Sequence, residues 1–275
     1  MRNPAFAGSF YSDKPTGLSS FISGTMADAN DIKCHAVNSV SFVAPHAGYA
    51  YSGRTAAYVY KAMLSSKKML SADTIVILGP NHTGLGKAIS ISEEDWRTPL
   101  GIVKNDIEMA EAIAGYKKGI AIDEIAHADE HSIEVQLPFL QSTLKDKRIV
   151  PICIGDQSIR ASRLVSEAIS NAEKNLGRNI GVIASSDFNH YESVEEARKK
   201  DMKLIGAIEK IDYMGLNILA KELDDSACGI GPITIAMLFA LEHNAKKGCM
   251  LKYDNSGNVT GDNTSVVAYS SILFE

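Results

Sequence analysis

The chain has 275 residues and a formal net charge of −5 at pH 7 with histidine counted as neutral. Its hydrophobic share of 45% and charged share of 22% are ordinary for a globular protein. The acidic balance argues against non-specific nucleic-acid binding, which requires a basic surface. The longest apolar runs, such as 233–241, are far shorter than the ~20 residues that span a bilayer. We therefore expect neither a nucleic-acid nor a membrane partner.

The cysteines are few and widely spaced, with no Cys-x-x-Cys pair: Cys34, Cys153, Cys228 and Cys249. This pattern indicates no disulfide framework. The first fifteen residues carry Pro4 and Gly8 where a signal peptide would have its apolar region. Together these features predict a reducing, cytoplasmic location without disulfides.

Short apolar runs alternate with helical patterns along the chain. In chain order, strands are predicted over 40–44, 74–78, 88–92, 148–154 and 180–184, and helices over 54–64, 107–114, 132–144, 159–176, 194–211 and 233–242. Pro138 must kink or divide the third of these helices. Runs at 251–253 and 265–273 predict a closing hairpin.

This alternation is typical of an α/β fold with a largely parallel sheet covered by helices on both faces. No repeat, low-complexity tract or long linker divides the chain. We therefore expect one α/β domain over residues 1–275, with the first two apolar strands adjacent at the centre of its sheet.

Three histidines each follow a predicted strand: His46, His82 and His190. Ligands of open α/β sheets bind beyond the carboxyl ends of the strands, so neighbouring strands would bring these imidazoles together in one cleft. The alternative is three unrelated loop histidines at the surface. Asp187, three residues before His190, either orients an imidazole or caps a turn.

Two further polar clusters have competing interpretations. Residues 129–132 (DEHS), which include Glu130 and His131, either start a helix or contribute to the site, and these roles can coexist. Cys228 lies in a glycine-rich turn before an apolar helix. A free cysteine is most often a small buried hydrophobe, although a helix N-terminus also favours a thiolate.

With these motifs in order, the sequence resembles the Memo family, also called AmmeMemoRadiSam system protein B in microbes. The resemblance runs nearly end to end. It is carried by AGSFY at 7–11, APHAGY at 44–49, LGPNH at 78–82, DEHSIE at 129–134, SSDFNH at 185–190, CG at 228–229 with PI at 232–233, and GD at 261–262 with SVV at 265–267. The family is similar in fold to class III extradiol dioxygenases, so the resemblance implies a single α/β/α sandwich.

The resemblance also implies a set of site residues. His46 and His82 would be metal ligands, and His190 would be the acid/base histidine with Asp187 beside it. Cys228 stands where the dioxygenases have a glutamate ligand. Two imidazoles and a thiolate form a softer donor set, which suits Fe, Cu or Zn.

The leading hypothesis is a metal-dependent redox protein in which His190 moves a proton. Tyr49, Glu130 and His131 would line the pocket as substrate-binding or orienting groups. A metal-assisted hydrolase and a non-enzymatic protein that binds metal or peptide in the same cleft are the alternatives. The expected ligand is a small molecule or peptide, and the system name suggests a functional link to a radical-SAM protein.

Overall fold

The computed structural model describes residues 1–32 and 34–275. Its α-helices are α1 Pro15–Asp28, α2 Tyr49–Met63, α3 Lys67–Ser71, α4 Ile107–Ala114, α5 Leu137–Thr143, α6 Ile159–Leu176, α7 Val194–Glu209, α8 Tyr213–Glu222, α9 Ile230–Glu242 and α10 Gly257–Thr260. Its strands are β1 Ser41–Ala44, β2 Thr74–Pro80, β3 Ile89–Ile91, β4 Trp96–Thr98, β5 Gly101–Val103, β6 Ala121–Ile122, β7 Arg148–Ile154, β8 Ile180–Ser185, β9 His190–Glu192, β10 Gly248–Asn255 and β11 Val266–Phe274.

Local chemistry explains where the best-predicted helix begins and ends. The Ser158 side chain accepts a hydrogen bond from the backbone N–H of Ala161, which caps the start of α6. Gly177 ends the helix in the left-handed conformation, with φ of 61°, which glycine adopts without steric cost. The predicted bounds of α4, α6 and β7 agree with the structure.

The predicted helix over 132–144 is interrupted. A 3-10 helix, Glu134–Gln136, precedes α5, and Pro138 lies in the first turn of α5, where it costs no hydrogen bond. The helices α1 and α8 were not predicted from the sequence.

The main sheet has the strand order β10-β11-β1-β8-β2-β7-β3-β6, and β9 pairs with β11. Its centre, β1-β8-β2-β7, is parallel, and the predicted closing hairpin is the antiparallel pair β10–β11. The prediction that β1 and β2 are adjacent is wrong, because β8 lies between them and hydrogen-bonds to both. Local periodicity identifies strands but does not encode which strand a later segment inserts beside.

Side chains alternate between the two faces of the sheet, as the pleat requires. Val76 and Leu78 of β2 belong to one buried cluster, which α4, α6, α7, α8 and α9 cover. Ile75 and Ile77 belong to a second cluster, which α1, α2, α3 and α5 cover. The protein is therefore a single α/β/α sandwich, which confirms the predicted fold class.

Two of the four cysteines are bonded to each other. Cys34 and Cys249 form a disulfide that joins the segment after α1 to the edge strand β10 across 215 residues of sequence. The expectation of no disulfide is therefore wrong. Sequence spacing gave no signal because only the folded sheet brings the two residues together.

Among the helices of residues 1–32 and 34–275, none is both long enough and apolar enough to cross a membrane.

Candidate metal centre

Three neighbouring parallel strands deliver polar side chains to one edge of the sheet. His46 follows β1 and His82 follows β2, while Asp187 and His190 follow β8, which lies between them. Because the three strands are parallel, their carboxyl ends meet at the same edge. Cys228 reaches this edge from the turn before α9, and His131 reaches it from the turn before α5.

Three imidazoles converge there. His46, His82 and His131 each offer a ring nitrogen, and these ligand atoms all lie within 4.8 Å of one another. The ring centroids are 5.1 Å apart for His46–His82, 5.2 Å for His46–His131 and 4.5 Å for His82–His131. From the sequence, His131 was expected to bind substrate, so its place among the converging ring nitrogens was missed.

Glu130 holds the ring of His82 and lies beside the ring of His131. One carboxylate oxygen, Oε1, lies 2.9 Å from Nδ1 of His82 and 3.4 Å from Nδ1 of His131. The other, Oε2, accepts the backbone N–H of His82 at 2.6 Å. A carboxylate on Nδ1 fixes the tautomer and leaves Nε2 available to a ligand, an arrangement common in histidine metal sites.

The segment around Glu130 does not start a helix. Its hydroxyl-bearing member, Ser132, donates from Oγ to the carbonyl of Pro80 at 3.1 Å, and its N–H donates to Glu130 at 2.8 Å. The 3-10 helix that follows has no side-chain cap. Residues 129–132 therefore do not cap this 3-10 helix, and their contribution to a site stays a prediction.

The tautomer of His46 follows from its neighbours. The hydroxyl of Ser185 donates to the carbonyl of Ser132 at 2.6 Å, so its oxygen accepts from Nδ1–H of His46 at 2.9 Å. Nε2 of His46 then carries the lone pair, and it lies 3.1 Å from Sγ of Cys228. Two potential ligand atoms are thus already in contact.

The turn that carries Cys228 packs tightly against the end of β8. Sγ accepts the backbone N–H of Asp187 at 3.3 Å. A Cβ at position 229 would lie 2.5 Å from Cβ of Ser186, so glycine is required for this close approach. Cys228 is thereby placed beside His46 although 182 residues separate them.

Asp187 and His190 complete the group that follows β8. Oδ1 of Asp187 accepts the backbone N–H groups of His46 at 2.8 Å and Ala47 at 3.3 Å, so it holds the loop that carries His46. Nδ1–H of His190 donates to the carbonyl of Ser226 at 3.1 Å. This bond leaves Nε2 of His190 as the basic nitrogen.

A cleft of about 670 Å³ opens over this group of residues. Its polar lining includes His46, His82, His131, Asp187, His190 and Cys228, and its aromatic lining includes Phe10, Tyr51, Tyr191 and Tyr269. Tyr49, which was expected to contact substrate, is buried and donates its hydroxyl to the carbonyl of Val135 at 2.6 Å. Glu130 is also buried, and it acts on the cleft through the imidazoles it holds.

Comparison with known proteins agrees with this architecture and its motifs. A family profile described as Memo-like protein matches residues 2–273. The chain belongs to the Memo family. It is 42% identical to a MEMO1 family protein of Methanopyrus kandleri over 99% of this chain and 98% of the relative. It is 41% identical to one from Methanosarcina barkeri over the whole of both chains. A third relative, from Archaeoglobus fulgidus, is 42% identical over 100% of this chain and 99% of its own.

Burial sets the protonation of the imidazoles in this Memo-family cleft. It lowers the pKa of His46 well below the usual value, with a further contribution from the neighbouring imidazoles. It lowers the pKa of His131 to about 4 and also lowers the pKa of His190. These rings are therefore neutral at pH 7, which is the form that binds metal ions.

The acids of the site respond differently to the same burial. Burial raises the pKa of Asp187 to about 7 and also raises the pKa of the Cys228 thiol, with Asp187 adding to the second effect. Burial also opposes ionisation of Glu130, but hydrogen bonds from His82 and the Ser132 N–H outweigh it and lower the pKa of Glu130 to about 2. Glu130 is therefore a buried anion whose partners are imidazoles.

The donor set fits a transition-metal ion. Around a tetrahedral ion, bonds of ~2.0 Å to nitrogen and ~2.3 Å to sulfur place neighbouring ligand atoms roughly 3.3–3.5 Å apart. Sγ of Cys228 lies 3.1 Å from Nε2 of His46, a little closer than this separation. The ligand atoms that all lie within 4.8 Å of one another belong to His46, His82 and His131. Imidazole and thiolate suit Zn, Cu and Fe. His131 and Cys228 compete for the third position.

Proposed function

We propose that this Memo-family protein is a metal-dependent redox protein whose ion is held by His46, His82 and Cys228. The observation that carries the metal site is the convergence of the His46, His82 and His131 imidazoles at one sheet edge, backed by the buried carboxylate of Glu130. The 3.1 Å contact between Sγ of Cys228 and Nε2 of His46 supports Cys228 as the third ligand. Because Glu130 orients ring nitrogens toward the cleft, the site is organised before an ion arrives. The ion, Fe, Cu or Zn, would supply a Lewis-acidic centre and, for Fe or Cu, a redox-active one.

The chain's own residues would bind substrate and move a proton. Nε2 of His190 would accept or donate the proton, because Nδ1–H already donates to the Ser226 carbonyl. Asp187 holds the His46 loop, and its pKa of about 7 makes it a second site for a proton near neutral pH. The aromatic walls at Phe10 and Tyr269 favour a ligand with an apolar part and exclude water around it.

The resemblance to the AmmeMemoRadiSam system supports a small-molecule or peptide ligand in the cleft and a functional link to a radical-SAM protein. A cytoplasmic location is proposed from the few cysteines and their spacing, and the Cys34–Cys249 disulfide weighs against it. The volume of the cleft, about 670 Å³, is within the range of small-molecule sites and supports the first kind of ligand.

The first experiment asks whether Cys228 or His131 completes the site. Protein is loaded anaerobically with Co²⁺, and affinity and absorbance are compared for the wild type, Cys228→Ser and His131→Ala. We expect a thiolate-to-cobalt absorption band that Cys228→Ser abolishes together with most of the affinity. The matched control is Cys153→Ser, which changes a free, buried cysteine that does not line the cleft. No thiolate band in the wild type, with cobalt affinity lost in His131→Ala but kept in Cys228→Ser, would make the third ligand His131.

The second experiment tests the redox assignment and the role of His190. Iron- and copper-loaded proteins are placed in an oxygen electrode with ascorbate as the electron donor. We expect oxygen uptake by the wild type and a loss of about 10²–10⁴-fold in His190→Gln, with metal content unchanged, since acid–base groups contribute on this scale. Hydrolysis of p-nitrophenyl acetate by the zinc form, without oxygen uptake by any form, would support the metal-assisted hydrolase instead.

A further inference from the structure

The turn that carries Glu130 and His131 lies between two 3-10 helices, Ile125–His127 and Glu134–Gln136, and has no regular secondary structure of its own. Its backbone groups cannot be satisfied by a helix or a sheet ladder, and buried carbonyls require partners. The position of both side chains therefore depends on whatever supplies those partners.

Arg2 supplies them. Its guanidinium donates from Nε to the carbonyl of His127 at 2.7 Å and from Nη2 to the carbonyl of Glu130 at 3.0 Å. Nη1 donates to the Glu134 carboxylate at 2.6 Å. The planar fork of arginine thus joins the start, the middle and the end of the turn. Arg2 is only 7% exposed, and its guanidinium packs 4.0 Å from the centre of the Trp96 ring.

Glu134 fastens the rest of the N-terminal arm, which we define as residues 2–11. Besides Arg2, its carboxylate accepts the backbone N–H groups of Ala5 at 3.0 Å and Phe6 at 2.9 Å, and the hydroxyl of Tyr11 at 2.6 Å. Glu134 is fully buried, so these four donors replace its hydration. One carboxylate therefore docks the whole arm onto the turn.

The docked arm reaches the cleft through two aromatic rings. The ring centroids of Phe6 and Phe10 lie 5.5 Å and 4.6 Å from that of His131. Phe10 also lines the cleft. His131 is therefore held from behind by Glu130 and from the side by the arm.

We propose that Arg2 and Glu134 are positioning residues of the metal centre. They fix the turn 127–134, which sets His131 directly and His82 through Glu130, and they place Phe10 as a wall that selects ligands. The proposal rests on the proposed metal function only where metal affinity is measured. The ordering of the turn by Arg2 and Glu134 can be measured in the metal-free protein.

The test uses Arg2→Met, which removes every donor but keeps a long side chain over Trp96. Arg178→Met is the matched control, since it breaks another arginine–carboxylate pair, that with Asp106, at the opposite edge of the sheet. Hydrogen exchange of the metal-free proteins is measured by mass spectrometry. We expect amides of 127–134 to exchange about ten times faster or more in Arg2→Met and to be unchanged in Arg178→Met.

The second readout is Co²⁺ binding. We expect the dissociation constant for Co²⁺ to rise about 3- to 10-fold in Arg2→Met. Losing a residue that hydrogen-bonds a metal ligand directly costs about 10- to 100-fold, and Arg2 acts one step further away. The d–d spectrum of bound cobalt should also shift. Arg178→Met should match the wild type in both. Faster exchange with wild-type cobalt affinity and spectrum would overturn the positioning role. Unchanged exchange of amides 127–134 in Arg2→Met would overturn the proposal, whether or not the protein binds cobalt. A wild-type protein that binds no cobalt would instead refute the proposed function.

Two further variants separate positioning from folding. The double variant Arg2→Met/Glu134→Gln removes both charges of the pair, so it should recover stability without recovering cobalt affinity. Arg2→Lys keeps the charge but not the fork, and we expect it to restore at most part of the affinity. Full recovery of cobalt affinity by the double variant would show that the pair serves stability alone.

Discussion

The two edges of the central sheet both contain buried carboxylates, but they neutralise them differently. At the amino edge, where the parallel strands begin, Asp106 accepts from the guanidinium of Arg178 at 2.8 Å and from the Thr74 hydroxyl. At the carboxyl edge, Glu130 and Asp187 are equally buried. In residues 1–32 and 34–275, no arginine or lysine nitrogen lies within 4.0 Å of either of these two carboxylates.

The difference shows what each edge can do. At the amino edge the charge of Asp106 is neutralised by Arg178, so this pair serves the fold. At the carboxyl edge Arg2 neutralises Glu134, but Glu130 and Asp187 lie beside imidazoles without an arginine or lysine partner among residues 1–32 and 34–275. Buried charges are usually paired or coordinate metals, so this edge is suited to a cation and the other edge is not.

The largest effect is expected from removing a ligand at the carboxyl edge. For His46→Ala, we expect the dissociation constant for Zn²⁺ to rise by more than about 100-fold, because losing only a hydrogen-bonding partner of a ligand costs about 10–100-fold. Competition titration with a chromophoric chelator measures this. His243→Gln is the control, since His243 pairs with Glu173 outside the cleft. Equal zinc affinity of His46→Ala and the wild type would contradict the assignment.

The next effect concerns the amino edge. Asp106→Asn should lower the free energy of unfolding by about 2–3 kcal/mol, below the usual range for a broken buried pair because Arg178 is partly exposed. Urea denaturation measures the change. Zinc affinity should stay within about twofold of the wild type, because larger losses are expected only for residues that contact a metal ligand. A large loss of zinc affinity would erase the contrast between the edges.

At the carboxyl edge, the corresponding change is Glu130→Gln. We expect zinc affinity to fall by about 10- to 100-fold. An amide has only one oxygen, so it cannot accept both hydrogen bonds from His82, and it removes the negative charge beside His131. Calorimetry of zinc binding measures it, with Asp106→Asn as the matched carboxylate control. The idea fails if Glu130→Gln and Asp106→Asn bind zinc equally well.

The smallest effect distinguishes two kinds of imidazole–carboxylate pair. Although burial alone would lower it, the pKa of His243 is raised by its hydrogen bond to Glu173, 3.0 Å away. A raised pKa contributes stability that is present below the unfolded value and is lost as pH rises through the folded value. His243→Gln should therefore cost up to about 1 kcal/mol near pH 5.5 and less above pH 8, as for partly exposed pairs.

Urea unfolding of His243→Gln and the wild type across this pH range checks the sign. A cost that grows with rising pH would contradict the assignment of a charged imidazole to this pair. The site ring His131 has its pKa lowered rather than raised. The cost of replacing His131 with Gln should therefore not fall as the pH rises above 6.

Much of the fold was accessible from local sequence pattern. The helix over 159–176 has apolar residues at helical spacing, and the strand over 148–154 is largely apolar and is followed by Gly155, so both were predicted with their bounds. Strand order was not, because the insertion of β8 between β1 and β2 depends on packing across the whole sheet. The Cys34–Cys249 disulfide escaped prediction for the same reason.

The site divides along similar lines. His46, His82 and His190 follow strands, so their arrival at one edge could be expected from the rule for α/β sheets. His131 follows no strand of that group, and its place among the converging rings depends on Glu130 and on the distant arm at Phe10. Tyr49 and Tyr51 are two positions apart, and only the structure shows that Tyr51 is the one that lines the cleft.

The most direct test of the central claim is to locate the ion. Protein loaded anaerobically with Fe²⁺, Cu²⁺ or Zn²⁺ is assayed for metal content, and crystals of it are measured at the absorption edge of the metal. The account predicts one ion per chain, with an anomalous peak about 2.0–2.3 Å from ring nitrogens of His46 and His82. The account would be contradicted if the protein stayed metal-free after loading with each of the three ions, or if the anomalous peak lay away from these two rings.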